Sequence, residues 1–287
     1  LVINNLKKCY PDKNVLNGLS FTLYNNEIFG LLGENGAGKS TLISILSGLI
    51  EANDGSIRYK IDPTDIGSEI TETKGIINFR KILGICPQNN NILFDELTVR
   101  ENLEIFCLFK YDKKQKKKDE SVNEYIKKEV DELIKEFKFE DQENWVANKL
   151  SGGQKRKLCI AIACCGRSKV IILDEPTGGI DISSRKKIWE ILKEIKYKGK
   201  IILLITHFMD EASYLSDKIG ILKGGKLIIS GSSSELIEKN GQYITIKINK
   251  KMEKQNAMNI VLYIKDNYFL KDEDNNSILN DEDKKSN

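Results

Sequence analysis

Residues 28–48 read IFGLLGENGAGKSTLISILSG. A continuous apolar run at 28–32 passes into the octet GENGAGKS at 33–40, which fits the pattern GxxxxGK[ST]; a helix-like stretch follows over 39–48. Strand, glycine-rich loop and helix in that order predict a phosphate cradle. Gly33, Gly36 and Gly38 permit backbone conformations that a side chain would forbid. The loop N–H groups and the helix start then converge on polyphosphate oxygens. Lys39 is suited to the terminal phosphates and Ser40 to a Mg²⁺ ion.

Working outward, four more short apolar runs predict strands: 82–86 (ILGIC), 170–173 (VIIL), 201–205 (IILLI) and 219–222 (IGIL). Continuous rather than alternating apolarity fits strands covered on both faces, as in a parallel sheet. Amphipathic stretches at 39–48, 98–109, 121–138, 152–165, 183–196 and 209–216 predict helices between them, so the class is α/β. The more alternating segment 15–27 predicts an antiparallel portion near the N-terminus. Residues 53–79 are polar and turn-rich and are expected to form an irregular surface excursion. The run KYDKKQKKKDE at 110–120 is expected to be solvated.

The run VIILDE at 170–175 places Asp174 at the carboxyl end of a strand, where open α/β sheets bind ligands. Asp174 is suited to the metal, and Glu175 to polarising an attacking water.

Composition narrows the function classes. The 287 residues carry 45 Lys and Arg against 42 Asp and Glu, a formal +3, too even for a general nucleic-acid binder. No nucleic-acid partner is expected. No apolar run approaches the ~18 residues of a membrane span, and mean hydropathy is −0.36. Six cysteines show no CxxC pair and one histidine is present, which reads as buried thiols in a reducing compartment.

A third element is LSGGQ at Leu150 to Gln154, just ahead of the helix-like KRKLCIAIACC. With Ser151, Gly152 and Gly153 before a helix, it is a second anion-binding start. Together with GENGAGKS and VIILDE it resembles the ATP-binding-cassette (ABC) family over about residues 1–240. The resemblance implies a P-loop NTPase of the ABC type: a mostly parallel core sheet, an N-terminal antiparallel β portion and a helical signature subdomain at about 89–165. It also implies ATP and Mg²⁺ as ligands. ATP would be held by Gly33, Glu34, Asn35, Gly36, Ala37, Gly38, Lys39, Ser40 and Thr41. Ser40, Gln88 and Asp174 would serve Mg²⁺, and Glu175, His207 and Gln88 would be catalytic. Two cassettes would pack head to tail, with Leu150, Ser151, Gly152, Gly153 and Gln154 acting on the partner's ATP. Asp181 would couple the two composite sites, and Tyr10 would stack on adenine, with Tyr24 as its competitor.

Longer stretches, ILGICPQNNNILFDELTVRENL and ITHFMDEASYLSDKIGILKGGKLIISGSS among them, resemble the A subfamily of ABC transporters, large exporters associated with lipids. This implies an ATPase on the cytosolic face of a membrane, partnered by transmembrane domains and by a second cassette, either an identical chain or the other half of one polypeptide. Residues 241–270 would begin a regulatory domain, and 271–287 read as a disordered acidic and polar tail. The apolar knuckle Ile92, Leu93 and Phe94 is a docking candidate for the membrane domain. Two other classes are weighed. A soluble cassette ATPase acting on chromosomes would carry a long coiled coil between the glycine-rich loop and the signature, and the stretch from Ser40 to Leu150 has no sustained heptads. One acting on ribosomes would pair two cassettes, which the single GENGAGKS of these 287 residues disfavours unless a longer chain holds a second copy. A non-hydrolysing clamp lacks a Glu175 or His207 equivalent, and both are present.

Overall fold

In the computed structural model, which describes residues 1–60, 68–70, 73–112 and 120–240, the five apolar runs lie side by side. They form β3 (Glu27–Gly33), β6 (Leu83–Cys86), β7 (Val170–Asp174), β8 (Ile201–Thr206) and β9 (Lys218–Lys223). With β10 (Lys226–Gly231) they make a six-stranded sheet in the order β10-β9-β3-β8-β7-β6. All neighbours run parallel except β10, which returns antiparallel to β9. This is the mostly parallel core sheet that the sequence leads one to expect.

Successive strand residues serve opposite faces of this sheet. Ile171, Leu173, Ile202 and Leu204 enter one core cluster, while Ile172, Leu203 and Ile205 enter another. Both faces are buried, so both sets are apolar and the sequence does not alternate. The register pairs Leu32 with Thr206 and Asp174 with Ile205. The carboxyl ends of β3, β7 and β8 therefore finish level with one another, at the edge where a ligand would sit.

One face is covered by α3 (Val99–Phe109), α4 (Val122–Glu136), α5 (Gly152–Cys164) and α6 (Ile182–Lys196). Thr98 and Ser121 start the first two with capping boxes completed by Glu101 and Glu124. The other face carries α1 (Lys39–Leu46), α2 (Thr73–Ile82) and a smaller sheet in the order β2-β1-β4-β5. That sheet comprises β1 (Val2–Tyr10), β2 (Lys13–Thr22), β4 (Asp54–Tyr59) and β5 (Ser68–Glu69), all antiparallel, the arrangement expected near the N-terminus. Two short helices, α7 (Met209–Leu215) and α8 (Ser233–Asn240), complete the described chain.

Two expectations are corrected. The described parts of the segment 53–79 are not irregular: they form β4, β5 and most of α2. Ile57 and Tyr59 of β4 point inward and Arg58 outward, and the Tyr59 ring lies 5.1 Å from that of Phe79 on α2, which is fully buried. Nor is the basic run solvated from its first residue. Lys110 turns inward to donate to the Leu83 carbonyl and Ser168 Oγ, and burial lowers its pKa. Residues 113–119, which hold the remaining lysines of that run, lie outside the described residues, as do 61–67 and 71–72. The expected regulatory segment at 241–270 and the tail at 271–287 lie outside them as well. Among the described residues no helix is long and apolar enough to cross a membrane. Five cysteines are buried free thiols, and Cys9 is exposed.

Candidate nucleotide site

The loop between β3 and α1 is shaped by its glycines. Gly36 and Gly38 sit at φ 81° and 112°, in the left-handed region that disfavours a side chain. A Cβ on Gly38 would also come 2.8 Å from Leu16 Cδ2 and 3.0 Å from the Val15 carbonyl. The loop therefore rests directly on β2. Gly38 caps α1 without a side-chain hydrogen bond, so no side chain competes for the first N–H groups of the helix. The buried Lys39 ammonium donates back to the carbonyls of Gly33 and Glu34, the latter at 3.3 Å. Ser40 is exposed. A cavity of about 250 Å³ opens here, lined by this loop, Lys13, Val15, Ser40, Thr41, Gln88, Asp174 and Glu175. A second, of about 580 Å³, runs from Gly33–Ala37 past His207 and Met209 to Lys223 and Gly224.

At the end of β7, Glu175 adopts φ 47°, a strained conformation for a long side chain. Its N–H donates to the Ile205 carbonyl at 2.7 Å. The strand edge thus turns the carboxylate toward the phosphate loop. Glu175 Oε2 accepts from Gln88 Nε2 at 2.9 Å, and Oε1 lies 2.9 Å from His207 Nδ1. The Glu175 side chain is 12% exposed and that of His207 48%. Asp174 beside it is pushed to a higher pKa, mainly by burial and then by the Glu175 charge, against the opposing pull of Arg156 and Lys39.

The oxygens here suit a hard cation that keeps several waters and takes most of its ligands from phosphate: one carboxylate (Asp174), one hydroxyl (Ser40) and one amide (Gln88). Among the described residues no three His, Cys, Asp or Glu side chains gather into a protein-only metal cage. The residues present fit Mg²⁺ held together with a polyphosphate.

The signature residues lie elsewhere. Leu150 is buried, and Ser151 caps α5 in a box with Gln154: Ser151 Oγ accepts from Gln154 N, and Gln154 Oε1 accepts from Ser151 N at 2.9 Å. A Cβ on Gly152 would meet nothing within 4 Å, whereas one on Gly153 would come 2.6 Å from Ser184 of α6. None of residues 150–154 lines either cavity at the phosphate loop. Asp181 is near this second helix start and has its own structural task. Its Oδ1 accepts from Ser184 N at 2.9 Å as the N-cap of α6, which holds its carboxyl below the usual range. Tyr10 ends β1 exposed, with Lys8 Nζ 5.5 Å from its ring centre, and lines neither cavity.

Of the apolar knuckle, Ile92 and Leu93 pack on the core and Phe94 alone is exposed, at 45%. The fully buried Asn102 holds it in place. Its Oδ1 accepts from Phe94 N at 2.9 Å and its Nδ2 donates to the Phe94 carbonyl at 3.1 Å. The Phe94 ring is 6.0 Å from Phe106, which is 6.1 Å from the exposed Phe109.

Sequence reading missed Lys13 and Val15, which reach the loop from β2, and Met209, Lys223 and Gly224, which border the larger cavity. No local pattern marks these positions. It also missed Arg156, the middle one of three consecutive cations at 155–157.

Comparison with known proteins agrees with this geometry. The ABC transporter family model matches residues 16–178. The human ATP-binding cassette sub-family A member 2 (Homo sapiens) is 43% identical over 233 residues, 80% of this chain and 9% of that protein. The chain spans 9–15% of the length of the curated relatives it matches. Among solved structures, cbiO1 from Clostridium perfringens, part of the ABC transporter complex cbiONQ, superposes with a TM-score of 0.71. It is 27% identical, and the match covers 83% of this chain and 90% of that one. A dimeric ATP-binding cassette in a post-hydrolysis state, bound to ADP and Pi, gives a TM-score of 0.66 at 25% identity, over 80% and 97% of the two chains. With its phosphate loop, strand-end carboxylates and signature helix in one fold, the chain belongs to the ABC transporter family.

Proposed function

We propose that this cassette binds ATP and hydrolyses it to ADP and phosphate, driving transport by a membrane protein at whose cytosolic face it works. The observation that carries this reading is the Glu175 carboxylate, held between Gln88 and His207 at the mouth of the phosphate cradle. In this position Glu175 accepts the proton of the attacking water, Gln88 aligns that water, and His207 orients the carboxylate and contacts the terminal phosphate. Lys39 exchanges the Gly33 and Glu34 carbonyls for phosphate oxygens, and the N–H groups of residues 34–41 take the remaining charge. Ser40 and Asp174, with Gln88 alongside, would hold Mg²⁺, which would supply neutralisation of phosphate charge. Tyr10 packs on adenine.

The signature residues Leu150 to Gln154 act on the ATP of a second cassette, an identical chain or the other half of one polypeptide. Their distance from this chain's own cradle supports that role, as does the dimeric neighbour. Asp181 joins the two sites across the interface. Phe94, Phe106 and Phe109 form the surface that meets the transmembrane domains. The resemblance to A-subfamily exporters supports a lipid as the transported substrate. Glu175→Gln tests the reading: ATP still binds, and turnover falls by about 10²-fold or more. Turnover at the original rate in that variant overturns it.

A further inference from the structure

Arg156 stands two residues beyond the signature pentapeptide, on the first turns of α5. It is 2% exposed, and among the described residues no carboxylate pairs with it. Its guanidinium is satisfied by main-chain carbonyls alone. Nε donates to Pro176 O at 2.8 Å, Nη1 to Pro87 O and to Gln88 O at 3.2 Å, and Nη2 to Asp174 O at 2.7 Å and Glu175 O at 3.1 Å. A buried cation without a counter-ion is costly unless its donors are all used. Here five carbonyls from two separate segments use them.

Those segments carry the working side chains. The Asp174 carbonyl precedes the Glu175 Cα and the Glu175 carbonyl follows it, so a single NH₂ group orients both peptide planes flanking the strained φ of 47°. The opposite arm of the fork fixes the main chain of Gln88, whose amide donates to Glu175. We propose that Arg156 is a positioning residue that sets Glu175 and Gln88 together and fastens both to the helix beginning at Ser151. Fewer than two helical turns separate Ser151 from Arg156, a length that moves as a rigid piece. A displacement of the signature end of α5 therefore reaches the carboxylate of the same chain. The catalytic half of this inference rests on the ATPase reading; the clamp itself does not.

Lysine keeps the charge but has three donors radiating from one atom and cannot span two segments. In the 287-residue chain, Arg156→Lys is expected to lower kcat by about tenfold or more, as a small misplacement of reacting groups does, with KM for ATP within about twofold. Amide hydrogen exchange is expected to quicken in peptides covering 86–91 and 174–178 and to stay unchanged in 201–206. An unchanged kcat with unchanged exchange overturns the proposal, and so does exchange that quickens evenly along the chain, which marks a merely structural residue. Should Arg156→Lys not fold, Arg156→Gln removes the buried charge and is read the same way. If the unaltered chain binds no ATP and hydrolyses none, the ATPase reading has failed, and the exchange pattern still decides the clamp.

Discussion

Gly84 on β6 lies against Ala163 on α5 so closely that a Cβ added at Gly84 would come 1.7 Å from the Ala163 carbonyl oxygen. The contact is backbone on backbone, between the strand leading to Gln88 and the helix leading from Ser151. No rotamer change can relieve an intrusion there. Gly84→Ala is expected to cost at least about 3 kcal/mol, the upper range for overpacking a tight core, and thermal unfolding measures it. A melting temperature within a degree of the original would mean that the two elements can part without loss.

Asp181 can be separated into its two duties. As the N-cap of α6 it stabilises the helix start, and Asn fills a cap nearly as well as Asp. Asp181→Asn is therefore expected to keep the melting temperature while hydrolysis falls, because the charge proposed to link two cassettes is gone. Asp181→Ala is expected to lower both. Equal hydrolysis by the Asn variant and the unaltered chain would leave Asp181 with the cap alone.

The thiols should divide sharply. Burial pushes Cys86 and Cys164 up to about 12 and Cys159 to about 11, and the thiolate is the reactive form. Cys107 and Cys165 are buried as well, and Cys9 is exposed. Iodoacetamide at pH 8 is expected to label Cys9 alone in the folded protein and all six cysteines in denaturant, counted by mass. Prompt labelling of a second thiol would reveal an opening of the core around α5.

The knuckle makes a comparison of neighbours. Ile92 packs against the core, and Phe94 is exposed. Phe94→Asp is expected to leave the melting temperature and ATP binding near their original values, within the ±0.5 kcal/mol usual for surface changes. Ile92→Asp is expected to lower stability by about 2 kcal/mol or more, through burial of an unpaired charge. Loss of transport with Phe94→Asp in the intact transporter is the result that assigns the surface to docking.

Much of this was legible in the residues. The two-sided strands announced themselves as unbroken apolar runs, and GENGAGKS needed only its neighbours to be placed. What escaped is instructive. In β4 only Ile57 and Tyr59 turn inward among polar residues, too short an alternation to stand out, and Gly75 disguises α2 as a turn. The cap at Asp181 is readable, since an Asp ahead of a helix is an ordinary start signal. Arg156 was not readable at all. Its partners are carbonyl oxygens, which every residue carries, so no side-chain pattern in QKRK at 154–157 distinguishes a buried clamp from a solvated cation.

The left-handed backbone of Glu175 sets one residue two incompatible demands. A non-glycine residue in a sparsely populated region carries a cost of about 1–3 kcal/mol, and Asn or Gly relieves it most readily. Glu175→Asn and Glu175→Gly are therefore expected to melt higher than Glu175→Gln while all three lose turnover. At this position the residue the backbone would favour and the residue the proposed reaction needs are different ones.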